Sequence, residues 1–180
     1  EQWPDTAATR QLASHPAFVN LQTFPLLADR YTQKSLLEDL SLATAPWRLV
    51  ENDTDALALH EALGERVLLK RRTGGYDGRG QHWLREPGQD AVPLGWHQEA
   101  IAEQAIDFDE EMSVVGMRTA DGHCFFYPLI LNLHVDGILT GSVAPLARLS
   151  HLQDEAEQML AKIMNHLDYV GVMAMECFRI

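Results

Sequence analysis

Lys70, Arg71, Arg72 and Arg79 crowd into ten residues of a chain whose formal net charge is −12, and between them run glycines at 74, 75, 78 and 80. The order Val67-Leu68-Leu69-Lys70 followed by Arg71-Arg72-Thr73-Gly74-Gly75-Tyr76-Asp77-Gly78-Arg79-Gly80-Gln81 reads as a strand that delivers cations into a glycine-rich loop. Such a loop can cover phosphates. Glycine lets backbone N–H groups approach phosphate oxygens, and an ammonium at the strand end supplies a point charge. The same spacing also describes a flexible hairpin with a basic, solvated tip, and spacing alone does not separate the two. The loop fits neither G-x-x-x-x-G-K-[ST] nor G-x-G-x-x-G.

Glu176 lies in the apolar run Val172-Met173-Ala174-Met175-Glu176-Cys177-Phe178. If buried there, its carboxylate needs a cation, a hydrogen-bond partner or a raised pKa; the alternative is an outward-facing Glu near a strand end. By residue type alone Glu103 and Glu111 are acidic residues flanking a strand, expected to be solvated. His134 alone reads as an ordinary hydrogen-bonded histidine, and the other seven histidines show no metal-ligand spacing.

These residues need elements to position them. Asp29 to Leu40 predicts a short amphipathic helix opened by an Asp cap, and Ala45 to Val50 an extended segment. Thr54 to Leu63 predicts a helix with Asn52, Asp53 or Thr54 as cap and Gly64 after its end. Val67–Lys70 and Gln81–Leu84 then form a hairpin-like unit. Strands are expected over Ala100–Ile106, Met112–Thr119, Cys124–Leu131 and Ile138–Val143, with turns at Asp121-Gly122 and Asp136-Gly137. Ala156, Met159, Leu160, Ile163, Met164 and Leu167 recur at helical spacing between Gln153 and Leu167, and Tyr169 to Phe178 reads as a central strand. Residues 1 to about 25 read as irregular surface structure.

With 180 residues and 46% hydrophobic content, the chain can bury one substantial core or those of two small lobes. The acidic balance argues against a nucleic-acid partner, and no apolar run approaches a membrane span or a signal peptide. Cys124 and Cys177 have no paired spacing, so buried reduced thiols and a cytoplasmic setting are expected.

The loop from Lys70 to Gln81, with Gly-Tyr-Asp-Gly-Arg-Gly-Gln at its end, resembles the glycine loop of the N5-carboxyaminoimidazole ribonucleotide synthetase family, a branch of the ATP-grasp enzymes. Ala28-Asp29-Arg30-Tyr31-Thr32-Gln33-Lys34, Ala45-Pro46-Trp47, Ile101-Ala102-Glu103-Gln104, Tyr127-Pro128, Asn132-Leu133-His134, Asp136-Gly137-Ile138-Leu139 and Tyr169-Val170-Gly171-Val172 resemble segments of that family in the same order.

The resemblance implies an α/β (α+β) ATP-grasp fold. Residues 1–45 would be a remnant of a preceding domain with a linking helix, 46–100 a small lid, and 101–180 a larger antiparallel-sheet lobe. The amino-terminal nucleotide-fold domain and the carboxy-terminal part would be absent, and an isolated fragment would be inactive. ATP and Mg2+ are the implied cofactors. Arg30, Lys70, the loop Gly75, Tyr76, Asp77, Gly78, Arg79, Gly80 and Gln81, and His134 would contact ATP. Glu103, Gln104, Ala105 and Ile106 would form the hinge under adenine, Glu111 would accept from the ribose hydroxyls, and Glu176 would bind Mg2+. Tyr76, Asp77 and Arg79 are the implied catalytic residues. The implied reaction carboxylates 5-aminoimidazole ribonucleotide with bicarbonate in purine biosynthesis, in a cytoplasmic homodimer without nucleic-acid or membrane partners. Another ATP-grasp ligase or carboxylase, or a non-catalytic binding module, remains as the alternative.

Overall fold

The computed structural model describes residues 6–52, 54–75, 79–135 and 137–180. Along the chain run α1 (Ala7–Ala13), α2 (Phe24–Ala28), α3 (Arg30–Asp39), β1 (Trp47–Leu49), α4 (Ala56–Leu63), β2 (Val67–Arg71), β3 (Gln81–Leu84), β4 (Ala100–Gln104), β5 (Glu110–Arg118), β6 (Cys124–Phe126), β7 (Ile130–Val135), β8 (Ile138–Val143), a 3-10 turn (Ala147–Leu152), α5 (Gln153–His166) and β9 (Gly171–Arg179). They sort into two compact units, one over Phe24–Ile106 and one combining residues 6–23 with Asp107–Ile180.

In the first unit four antiparallel strands take the order β1-β4-β2-β3. Alternation along a strand sends successive side chains to opposite faces. Val67 and Leu69 therefore join Leu84, Ala100 and Ala102 against Ala56, Leu59 and Leu63 of α4 in one apolar core. Leu68 and Lys70 point the other way. The cap of α4 is Asp55, whose carboxylate accepts from the Ala58 amide at 2.7 Å. This corrects the expected cap: Thr54 instead accepts from the Glu51 amide at 3.0 Å, and Asp53 lies outside the described residues. Gly64 ends the helix at φ 95°, where a Cβ would be strained.

In the second unit β5 is the central strand, with β9 along one edge and β7 and β6 in turn along the other, and β8 beyond β7. Among the described residues β9 pairs with β5 alone, and its side chains alternate between half-buried and exposed. One face carries Met112, Val114, Met173 and Met175 against Leu160 and Met164 of α5. The expected single strand over Cys124–Leu131 is two, because Pro128 has no N–H to contribute to a ladder. Gln153 spans the break, accepting from the Leu129 amide at 2.7 Å and donating to the Tyr127 carbonyl at 3.0 Å.

Residues 7–13 are helical rather than irregular. Thr6 and Thr9 cap each other's amides at 3.2 and 2.8 Å, but α1 buries no residue, so it lacks the apolar period that reveals a helix. Both cysteines are half-buried free thiols, more exposed than expected.

Gly116 allows the closest packing in the second unit: a Cβ there would fall 2.6 Å from the Phe126 ring and 3.1 Å from Leu160. Gly116→Ala should destabilise the fold by about 1–3 kcal/mol through overpacking. Denaturant unfolding checks this, and an unchanged midpoint would contradict it.

Candidate functional site

The first unit gathers cations around one buried carboxylate. Glu103 sits on β4 opposite Leu68, two residues before Lys70 on β2, so both side chains share the face turned away from the α4 core. Lys70 Nζ lies 2.6 Å from Glu103 Oε2, and Lys34 Nζ, reaching from α3, lies 3.3 Å from Oε1. The side chains of Lys34, Lys70 and Glu103 are 14%, 24% and 10% exposed, which overturns the solvated setting expected for Glu103. Burial alone would raise the Glu103 pKa, but attraction from Lys70 and Lys34 overrides it and holds the carboxyl below the usual range. For Lys34, burial outweighs the pull of Glu103, with repulsion from Lys70 added, and its pKa is lowered. Lys34 and Lys70 share the Glu103 carboxylate, and Glu38 adds a further attraction on Lys34.

The loop is braced from α3. Arg30 donates through its amide to Arg72 O at 2.9 Å and through its guanidinium to Arg71 O at 2.9 Å and Gly75 O at 3.3 Å. A guanidinium has five N–H donors, so these contacts leave it capacity for an anion. A Cβ on Gly75 would sit 3.0 Å from Arg79 O and 3.2 Å from the Arg30 guanidinium, a tight fit that a side chain could enter only if its neighbours gave way by a few tenths of an ångström. Gly80 turns at φ 70°, Arg79 is exposed, and Gln81 stands opposite Lys70. Tyr76, Asp77 and Gly78 lie outside the described residues.

Asp29 ties the helix to the strand. Its carboxylate caps Tyr31 N at 2.8 Å and receives Arg72 Nε at 3.1 Å on both oxygens. Burial opposes ionisation of Asp29, but hydrogen bonds from Arg72 and Tyr31 bring its pKa below the ordinary value. Asp29→Ala, which removes cap and ion pair together, should cost about 2 kcal/mol in chemical unfolding. A loss under about 0.5 kcal/mol, the scale of an ordinary surface substitution, would contradict this clamp.

At the hinge, the amides of Gln104 and Ala105 already donate to Pro46 O and Arg66 O, each at 2.9 Å. A purine edge docking there must use other backbone groups of the segment. Ile106 is half-buried.

The second unit presents a polar strip on the face of its sheet opposite α5. Glu111 faces Asn132 on β7, Ser113 faces Glu176 on β9, and Asn132 faces Ser142 on β8. Asn132 donates to Ser113 at 3.2 Å and accepts from Ser142 at 3.1 Å, which fixes the strip. A β-bulge between Leu133 and His134 displaces the register, and His134 Nδ1 lies 3.2 Å from Glu111 Oε2. Glu111 is 17% exposed at its side chain, also less solvated than its type suggests. Glu176 is exposed, so the outward-facing alternative holds and no burial cost forces a partner on it.

Sequence reasoning missed Lys34, which sits four residues after Arg30 and therefore on the same helix face; that interval was the available signal. It also missed Asp29 and Arg72 as a clamp, and the Ser113–Asn132–Ser142 chain, which only strand register reveals.

Comparison with known proteins agrees on a family. The ATP-grasp domain family matches residues 35–180. N5-carboxyaminoimidazole ribonucleotide synthase of Escherichia coli strain K12 is 53% identical over 178 residues, covering 99% of this chain and 50% of that protein. The crystal structure of N5-carboxyaminoimidazole ribonucleotide synthetase from Thermus thermophilus superposes with a TM-score of 0.82 at 32% identity, over 97% of this chain and 48% of that one. The Staphylococcus aureus N5-carboxyaminoimidazole synthetase complexed with ADP gives 0.76 at 30% identity, over 87% and 42%. The chain thus spans about half the length of the curated relatives it matches.

Proposed function

Because this chain belongs to the ATP-grasp family, we propose that it forms the nucleotide-binding section of an ATP-dependent ligase that carboxylates 5-aminoimidazole ribonucleotide with bicarbonate. The observation that supports this reading most is the convergence of positive charge from Lys34 and Lys70 on Glu103 at the mouth of the glycine loop. A nucleotide triphosphate fits that charge, as a diol fits the Glu111 carboxylate and a purine edge fits the backbone of Glu103 to Ile106.

In this reading Lys70, Arg30 and the loop from Gly75 to Gln81 bind the phosphates, and His134 contacts the nucleotide beside Glu111. A bicarbonate oxygen attacks the γ-phosphorus and ADP leaves, giving carboxyphosphate. The 5-amino group then attacks its carbon, phosphate departs, and the amine proton passes to solvent or phosphate. Tyr76 and Asp77 would act on the imidazole substrate or bicarbonate, and Arg79 would join them as a catalytic residue.

Mg2+ suits Glu176: among the described residues no cluster of three acidic, His or Cys groups could cage a metal, but Mg2+ takes one or two carboxylates and completes its shell with water and substrate phosphate. When bound it neutralises charge developing on the transferred phosphoryl group. Lys70 and the loop amides do the same from the protein side in a site fixed before reaction.

The full-length protein should release ADP from ATP only when bicarbonate and 5-aminoimidazole ribonucleotide are both present. ADP release with another amine or carboxylate acceptor, and none with this one, assigns it to a different ATP-grasp ligase.

A further inference from the structure

Glu103 poses a difficulty for the nucleotide reading: its carboxylate is almost fully buried, and the cation closest to it is the same Lys70 that a phosphate would need. Pulling Lys70 away from a buried carboxylate with no other partner would be strongly unfavourable. The structure supplies a second cation. Lys34 approaches the opposite oxygen of Glu103, is the less exposed of the two lysines, and is tethered by a hydrogen bond to Thr44 Oγ1. Lys70 leaves the end of β2 at the start of the glycine loop and is the more exposed. One ammonium is therefore anchored and the other is placed to move.

We propose that Lys34 is a positioning residue that frees Lys70: by holding Glu103, it lets the Lys70 ammonium turn from the carboxylate to a nucleotide phosphate without stranding a buried charge. This rests on the nucleotide reading above. The lysine stem has the rotatable bonds for such a turn, and its ammonium is a point donor with no fixed fork to break. Glu103 acts as a parking site that keeps Lys70 aimed before nucleotide arrives. Lys34 touches neither nucleotide nor substrate.

The test is calorimetric titration of Mg2+-ADP into the full-length protein carrying Lys34→Gln, Lys34→Arg, Glu103→Gln or the pair Lys34→Gln with Glu103→Gln. Lys34→Gln should weaken binding about tenfold or more, since Glu103 would then hold Lys70 alone. In the Glu103→Gln background the same change should cost less than about threefold, because Lys70 is already released. A packing role for Lys34 predicts equal losses in the two backgrounds, and that result overturns the proposal. Lys34→Arg keeps the charge on Glu103 and should bind within about threefold of wild type; a tenfold loss there overturns the proposal even if Lys34→Gln fails to fold. Absence of Mg2+-ADP binding by wild type would defeat the nucleotide reading itself. Normal wild-type binding with an unaffected Lys34→Gln would defeat only the role of Lys34.

Discussion

Lys70→Ala should lower kcat/KM for ATP by about a hundred- to a thousandfold in the full-length protein, with the fold intact. The magnitude follows from removing one preorganised charged donor from a transferring phosphoryl group, worth roughly 3–4 kcal/mol in comparable sites. The fold survives because Glu103 keeps Lys34 when Lys70 is lost, so no buried carboxylate is left without a cation. Circular dichroism and steady-state ADP release, taken on the same preparation, separate the two effects. Near-normal turnover in Lys70→Ala would remove this lysine from the phosphate site, whereas a collapsed fold would show that Lys34 does not hold Glu103 by itself.

The converse change attacks stability. Glu103→Ala leaves two largely buried ammonium groups without their shared partner, and breaking a buried pair in this way costs roughly 3–5 kcal/mol. For a 180-residue chain that lowers the thermal midpoint by about 6–20 °C. The charge also fixes the pH dependence. Glu103 has a folded-state pKa below its ordinary value of 4.5, so the unfolded chain binds the proton more readily. Its stabilising contribution is present above that value and is lost as pH falls through the lower, folded-state value. Wild type should therefore be more stable than Glu103→Gln at neutral pH, with the gap closing below about pH 4.5. A gap that stays constant with pH would mean that the carboxylate charge is not what stabilises the cluster.

Much of the fold was legible because its signals are local. The Asp29 cap, the period of α5, the pairing of Val67–Lys70 with Gln81–Leu84 and the Asp121-Gly122 turn each sit close in sequence to the structure they specify, whereas Asp136 of the second expected Asp-Gly turn lies outside the described residues. Of the cation cluster, the strand that carries Lys70 was legible from its own run of residues. The site was illegible where strands far apart in sequence meet. Nothing near Glu103 reveals that Lys34, on a helix some seventy residues earlier, reaches the same carboxylate, and residue type alone placed this Glu in water. For Glu176 the sequence left burial and an outward-facing position both open; β9 half-buries alternate side chains, and Glu176 falls on the open face with Val172, Ala174 and Phe178. The missed helix α1 buries nothing, and the strand break at Pro128 was hidden by strand-forming residues on both sides.

In the proposed reaction, bicarbonate is activated by the γ-phosphate of ATP before the amine is carboxylated. The direct measurement is turnover of the full-length protein with ATP, 5-aminoimidazole ribonucleotide and 18O-labelled bicarbonate, followed by mass spectrometry of the inorganic phosphate. One bicarbonate oxygen should appear in each phosphate released, because the oxygen that bridges carbon and phosphorus leaves with phosphorus. Phosphate free of label, with ADP and carboxylated product still formed, would contradict the proposed reaction.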